Sequence, residues 1–181
     1  MFYMIEIKEN DMLYIILGII MVFLAWMQAA YGKMQKYKNE ARTLWIRIDS
    51  LLQTRSQYIL QLLELADDYG LKAAELLSEL FDLGGGYCKS DDREVTSAQA
   101  EAATPLIDKL LLLADDSVDM KEDSSYLELK NELKDVEEEI ELQSEKYNQF
   151  IDLYNRHIET PSLRIQFSIL GAPHLKGIHI R

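Results

Sequence analysis

The stretch ARTLWIRIDSLLQTRSQYILQLLELADDY, residues 41–69, decides the fold. Ala41, Trp45, Ile48, Leu52, Arg55, Ile59, Leu62, Ala66 and Tyr69 follow one another at spacings that alternate four and three without a slip. Such a seam belongs to a helix packed at a shallow angle on other helices, because a step of 3.5 residues keeps returning side chains to one face. Eight of its nine members are apolar or aromatic, and Arg55 is the exception. The segment contains no proline, and Gly70 follows it, where a left-handed C-cap or a turn is expected.

Reading back towards the N-terminus, the pattern changes from periodic to continuous. Met12 to Gly32 is a run of 21 residues without a charge, bounded by Asp11 and Lys33. At about 1.5 Å per residue such a helix spans roughly the 30 Å hydrocarbon core of a bilayer. It is apolar on every face, and Tyr14, Trp26 and Tyr31 sit towards its ends, where amphipathic rings favour the interface. The preceding residues are acidic, the run is longer than a signal-peptide core, and no small-x-small site closes it, so an uncleaved anchor is expected. Lys8 stands alone before the run, whereas Lys33, Lys36, Lys38 and Arg42 follow it. The positive-inside rule then places the long C-terminal part in the cytoplasm and the N-terminus outside.

Towards the C-terminus three more helical regions are expected. Leu71 to Leu83 presents Ala73, Leu76, Leu77, Leu80 and Phe81 on one side. Gly84-Gly85-Gly86 ends it, and with no preceding strand and no Gly-Lys-Ser/Thr these glycines do not form a phosphate loop. Arg93 to Ser117 contains Pro105, which either kinks a helix or occupies its first turn behind a Thr104 N-cap. The last region repeats the heptad with Tyr126, Leu129, Leu133, Val136, Ile140, Gln143, Tyr147, Phe150, Tyr154 and His157. Ser124 or Ser125 can cap its start, Glu137 to Glu139 fall off the seam towards solvent, and Pro161 ends it.

The expectation is therefore an all-α chain: a single N-terminal transmembrane helix, then an antiparallel up-down four-helix bundle with long helices. Residues 1–11 form a short extracytoplasmic tail, 12–32 the membrane helix and 33–161 the cytoplasmic bundle. In that topology residues 162–181 return to the bilayer. This tail joins Arg164 and Lys176 to Phe167 and its aliphatic neighbours, and so suits either an anionic membrane surface or the open end of the bundle core. Lys33, Lys36, Lys38, Arg164, Phe167 and Lys176 are the candidate membrane-surface residues.

Composition narrows the function. The formal net charge is -12, and residues 48–161 hold 27 acids against 10 bases. A body this acidic repels nucleic acid. The lone Cys88 forms no intramolecular disulfide. His157, His174 and His179 have no zinc spacing, and there is no nucleophile-elbow motif. Acidic pairs such as Asp67-Asp68, Asp91-Asp92 and Asp115-Asp116 lie at expected helix ends and lack a calcium-loop pattern. No catalytic, cofactor or metal site is expected, and no small-molecule substrate is evident.

Two stretches carry a family resemblance. One is YGKMQKYKNEARTLWIRIDSLLQTRSQYILQLLELADDY, residues 31–69, with Trp45, Ile48-Asp49, Leu52, Arg55 and Tyr69 behind a membrane anchor. The other holds ELKDVEEEIE and YNQFIDLYNRHIETP, with Tyr147-Asn148 and Tyr154-Asn155 one heptad apart. Together they resemble the LemA family of bacterial membrane proteins. The chain departs from that family's pattern in having Leu60-Gln61 where a Pro-Asn pair is usual, Gly32 after Tyr31, and little likeness over residues 84–119. The resemblance implies a membrane-anchored antiparallel helical bundle, and no catalytic site is generally assigned to that family.

The candidate interaction residues are Trp45, Asp49, Arg55, Tyr147, Asn148, Tyr154 and Asn155. Arg55 requires a carboxylate partner on another helix if buried, and otherwise could bind an anionic ligand. The Tyr-Asn pairs suit either packing within the bundle or a polar ladder to another helix or a second protomer. The leading functional expectation is an interaction or scaffold protein at the cytoplasmic membrane face, binding the membrane and a protein partner or its own copies. The alternative is a regulatory module that transmits motion along the first helix.

Overall fold

The structure, a computed structural model, describes residues 9–71, 74–83, 87, 92–169 and 171–180. These contain six helices and no strand: α1 (Glu9–Asp68), α2 (Ala74–Asp82), α3 (Arg93–Asp116), α4 (Val118–Lys121), α5 (Ser124–Glu159) and α6 (Pro161–Ile169). The expected N-terminal tail up to residue 8, Ala73, Gly84 to Gly86 and Cys88 lie outside the described residues, as do the side chains of Leu77 and Phe81.

Helix α1 runs 60 residues without interruption, about 90 Å at helical rise. Its surface changes character along that length. Thirteen large hydrophobic side chains from Met12 to Trp26 are exposed, and an 18-residue window there has a mean hydropathy of 2.2 with 0% of it buried. A run this long and apolar is consistent with a membrane-spanning segment. From Ala30 onwards the helix packs: Ala30, Met34, Ala41, Trp45, Ile48, Leu52, Arg55, Ile59, Leu62 and Ala66 are all buried. The seam thus begins nearer the apolar run than its clearest sequence repeat. Tyr69, expected as its last member, is 37% exposed and gives its hydroxyl to Asp123 instead.

The helix ends where glycine allows. Gly70 takes φ 69°, its N–H donates to the Asp67 carbonyl, and the Leu71 N–H reaches back to Ala66. The same pair of bonds closes α6, with Gly171 at φ 62°, its N–H on Ser168 and the Ala172 N–H on Phe167. Both are Schellman caps, in which a left-handed residue lets two terminal carbonyls find donors.

The long partner of α1 is α5, and the two meet in reverse order: Tyr69 with Asp123, Arg55 with Glu137, Trp45 with Tyr147, and Ala30 with His157. Along α5 the positions Tyr126, Leu133, Ile140, Tyr147 and Tyr154 stay buried, as the heptad predicts. The second track drifts: Leu129, Val136, Phe150 and His157 are only partly buried, while Ser144, Ile151 and Ile158 go inside. A straight helix turns about 20° per heptad away from a strict seven-residue repeat, which moves the contact stripe by one position over this length. Asp123 rather than a serine caps α5, accepting from the N–H groups of Ser125 and Tyr126. Pro105 lies inside α3, so Thr104 is an interior residue and not an N-cap.

Three apolar clusters follow one another along α1. Ile59 to Ala66 pack with Leu80, Leu106, Ile107, Leu110, Met120 and Tyr126. Trp45, Ile48 and Leu52 pack with Ile140, Tyr147 and Ile151, and also with Ile178 and Ile180 of the C-terminal segment. Ala30 and Met34 pack with Tyr154, Ile158, Leu163 and Phe167.

Candidate functional site

The Tyr-Asn repeat of α5 holds the chain's own terminal segment. Asn148 Nδ2 donates to the Ile178 carbonyl at 2.7 Å, and its Oδ1 accepts from the Ile178 N–H at 2.8 Å. Asn155 does the same one heptad later, to the Leu175 carbonyl at 2.7 Å and from the Leu175 N–H at 3.0 Å. Each amide therefore satisfies both main-chain groups of one residue, as a neighbouring β-strand does. The registers match: seven helical residues rise about 10.5 Å, and three extended residues cover about 10 Å. Tyr154 adds a bond from its hydroxyl to the Pro173 carbonyl at 3.1 Å. Burial pushes that phenol above its usual range, so it stays a donor.

The segment runs opposite to α5 and alternates its contacts. Ile178 and Ile180 are buried and Leu175 half-buried, while His174, Lys176 and His179 face out. Gly177 is required by close approach: a Cβ there would lie 2.7 Å from Asn148 Oδ1. Lys176 Nζ meets Glu94 Oε2 at 3.0 Å, and His174 lies 3.7 Å from Glu159.

Beside the clamps, Tyr147 packs its ring 6.1 Å from Trp45, and Arg93 sits over the indole at 5.7 Å while reaching the Tyr147 hydroxyl at 3.4 Å. Asp49 accepts from the Tyr87 hydroxyl at 2.8 Å and so ties the α2–α3 connection to α1. Tyr147 and Asp49 thus join elements: one packs α5 on α1, the other holds the α2–α3 connection.

Arg55 is 1% exposed, and its Nη2 donates to the Ala100 carbonyl and the Thr104 hydroxyl, both at 3.2 Å. Its Nε is 3.9 Å from Glu137, a coulombic contact without a hydrogen bond. Burial pushes the guanidinium down, with Glu137 and Asp108 opposing, and desolvation pushes the Glu137 carboxyl up. The arginine thus finds its carboxylate on α5. Glu137, expected in solvent, is half-buried, and Glu139 accepts from Arg47 and Gln143. A seam charge draws an acid from the adjacent helix face, because an uncompensated buried charge is costly.

The expected membrane-surface set divides. Lys33, Lys36 and Lys38 are exposed just beyond the apolar run, and Arg164 is exposed on α6, whose Leu163 packs with Ala30 and Met34. Phe167 is corrected: it is 2% exposed, its ring 5.6 Å from His157, and it closes the end of the core instead of meeting lipid. Lys176 is corrected too. The segment runs back along α5, away from the apolar run, because the asparagine clamps hold it there, and Lys176 pairs with Glu94 on α3.

The sequence signal for this arrangement was two asparagines seven apart, matched by Leu175 and Ile178 three apart with Gly177 between them. Among the described residues no group of three or more His, Cys, Asp or Glu side chains could hold a metal ion.

Fold and site define an all-α protein with one helix long and apolar enough to cross a membrane, whose paired asparagines hold main chain in place. Within that class, the LemA family model matches residues 44–176, and the chain belongs to the LemA family. The matched span contains both Tyr-Asn pairs, Arg55 and the Leu175 clamp. No curated protein matches the chain.

Proposed function

We propose that this protein is a membrane-anchored interaction module: residues 12–29 cross the bilayer, and the remainder forms an antiparallel up-down four-helix bundle at its cytoplasmic face. There it binds protein partners or further copies of itself and carries out no catalysis. The observation that carries this reading is α1 itself, a single helix that is exposed and apolar before Ala30 and seamed and buried after it. Any movement or position of the anchor is thereby passed to the bundle without a flexible joint. The lysines that follow the run support the cytoplasmic orientation. Reverse-order pairing of α1 with α5 supports the bundle topology. Arg55, Asp49 and the two asparagines all have structural partners, which favours binding over chemistry.

Mass photometry of the solubilised complex, with mass spectrometry of its components, tests the proposal. The expected result is a particle heavier than one chain in its detergent belt, containing either several copies or a stoichiometric partner. A monomer that recovers no partner from native membranes refutes it. The unbroken α1 also favours a second reading, in which the helix transmits a signal; a glycine pair inserted near Lys33 that uncouples anchor from bundle without any downstream change speaks against that reading.

A further inference from the structure

The asparagine ladder recognises main chain, and main chain is the same in every copy. Four of the bonds that hold the terminal segment go to the N–H and C=O of Leu175 and Ile178. Its side chains contribute Leu175, Ile178 and Ile180 on the inner side, with Lys176 on Glu94 outside. A groove of about 480 Å³ lined by Arg93, Glu94, Tyr147, Leu175, Lys176 and Ile178 continues beside it. Lys176 of the segment pairs with Glu94 on the receiving side at 3.0 Å, a charge match that is independent of which copy supplies the peptide.

We infer that the α5 face is a binding site for an extended peptide, and that its second occupant is the terminal segment of a neighbouring copy, exchanged reciprocally. This deepens the interaction-module reading and rests on it. The geometry allows the exchange. Ala172 to His174 lie between the Gly171 cap and the first clamped residue, and three extended residues span about 10 Å. That is the distance between two packed helices, so a second copy with its α5 alongside offers its own Asn155 within reach. Exchange of identical elements makes dimers at low cost because every contact is one the monomer already has. Anchoring in one membrane concentrates the copies, and the docked segment competes at an effective concentration on the order of millimolar.

Complementation between two full-length variants in co-reconstituted liposomes tests this. In the receptor, Gly177→Val drives a side chain into Asn148 and dislodges the segment while leaving both asparagines in place. In the donor, Asn148→Ala with Asn155→Ala removes the clamps and leaves an intact, released segment. With different tags, the mixed pair is expected to co-purify on the order of tenfold better than either variant with itself, since only the mixture has both a free clamp and a free segment. Equal recovery in all three samples overturns the proposal, as does no recovery from the mixture when both variants keep wild-type helical circular dichroism. If the receptor fails that check, Gly177→Ala replaces it, and a labelled peptide of residues 171–181 must then bind the receptor and not the donor. Wild-type particle mass is a separate readout: a heavy wild-type particle with failed complementation refutes tail exchange alone.

Discussion

Arg55 and Glu137 face each other across α1 and α5, and removing either one is expected to have very different consequences. Their side chains are 2% and 38% exposed. Glu137→Gln leaves a guanidinium fully inside the core, with Asp108 as a further nearby acid and with one hydrogen-bond acceptor on each of Ala100 and Thr104. Breaking a buried pair in this way costs about 3–5 kcal/mol, and the partial exposure of Glu137 together with Asp108 lowers that to about 2–3 kcal/mol. Arg55→Met fills the same volume with apolar atoms and leaves behind a carboxylate that already reaches water. The Ala100 carbonyl keeps the Thr104 hydroxyl as a donor at 3.4 Å. The cost is then about 0–1 kcal/mol, because replacing a buried ionic group by a well-packed hydrophobe is often neutral. For a body of this size, 1 kcal/mol moves the melting temperature by about 2–4 °C. Thermal melts followed at 222 nm should therefore show Glu137→Gln down by about 4–12 °C and Arg55→Met within about 4 °C of wild type. The reverse order refutes the reasoning, because it would mean that the arginine's bonds and not its burial dominate the layer.

Asn155→Ala is expected to cost about 1–3 kcal/mol locally, since it strands the N–H and the C=O of Leu175; native-state hydrogen exchange at that amide reads it directly. Gly177→Ala should raise the rate of tryptic cleavage after Lys176 without changing the global melt, because the clash is confined to the terminal segment. The Asp115 carboxyl is held below its usual range by Lys130 and then by the Tyr126 hydroxyl. A depressed folded pKa gives stability that is present above the unfolded value of about 3.9 and is lost as pH falls through the lower folded one. Asp115→Asn should thus lower stability at neutral pH by at most about 1 kcal/mol, the pair being a third exposed, and flatten the decline measured below about pH 4. Leu17→Arg with Ile20→Arg places two charges in the exposed apolar run at about 3 kcal/mol each, and should shift the protein out of the alkaline-extracted membrane pellet.

Much of the scaffold was legible because hydrophobic period is a strong signal in long helices. The seam from Ala41 to Ala66 is buried where the spacing placed it, and the uncharged run is exposed from Met12 to Trp26. Arg55 could be read as buried and paired from its seam position alone, though not which acid would meet it. Other features were hidden for physical reasons. The α5 stripe shifts because 3.6 residues per turn do not keep a strict heptad, so Phe150 and His157 lie on its border and Ile151 and Ile158 replace them. Residues 173–180 carry no period, since an extended segment held through its backbone needs only a few apolar side chains and one glycine. The Tyr-Asn repeat was conspicuous in sequence, but a side-chain amide that binds main chain is matched in its partner only by a spacing around Gly177 and by no complementary polar side chain. For the same reason Phe167 and Lys176 looked like a membrane-facing pair, when one plugs the core and the other is held along α5 by the clamps.

The central claim is that one helix passes from lipid into the packed body at about Ala30. Single cysteines placed along α1 in a Cys88→Ser background, probed in native membrane vesicles with a membrane-impermeant maleimide, test it most directly. The account predicts no labelling at Leu17, Ile20 or Leu24 from either side, and labelling at Lys33, Lys36 and Lys38 only from the cytoplasmic side. Labelling of Ile20 or Leu24 from the aqueous phase, or of Lys36 from outside intact cells, contradicts it.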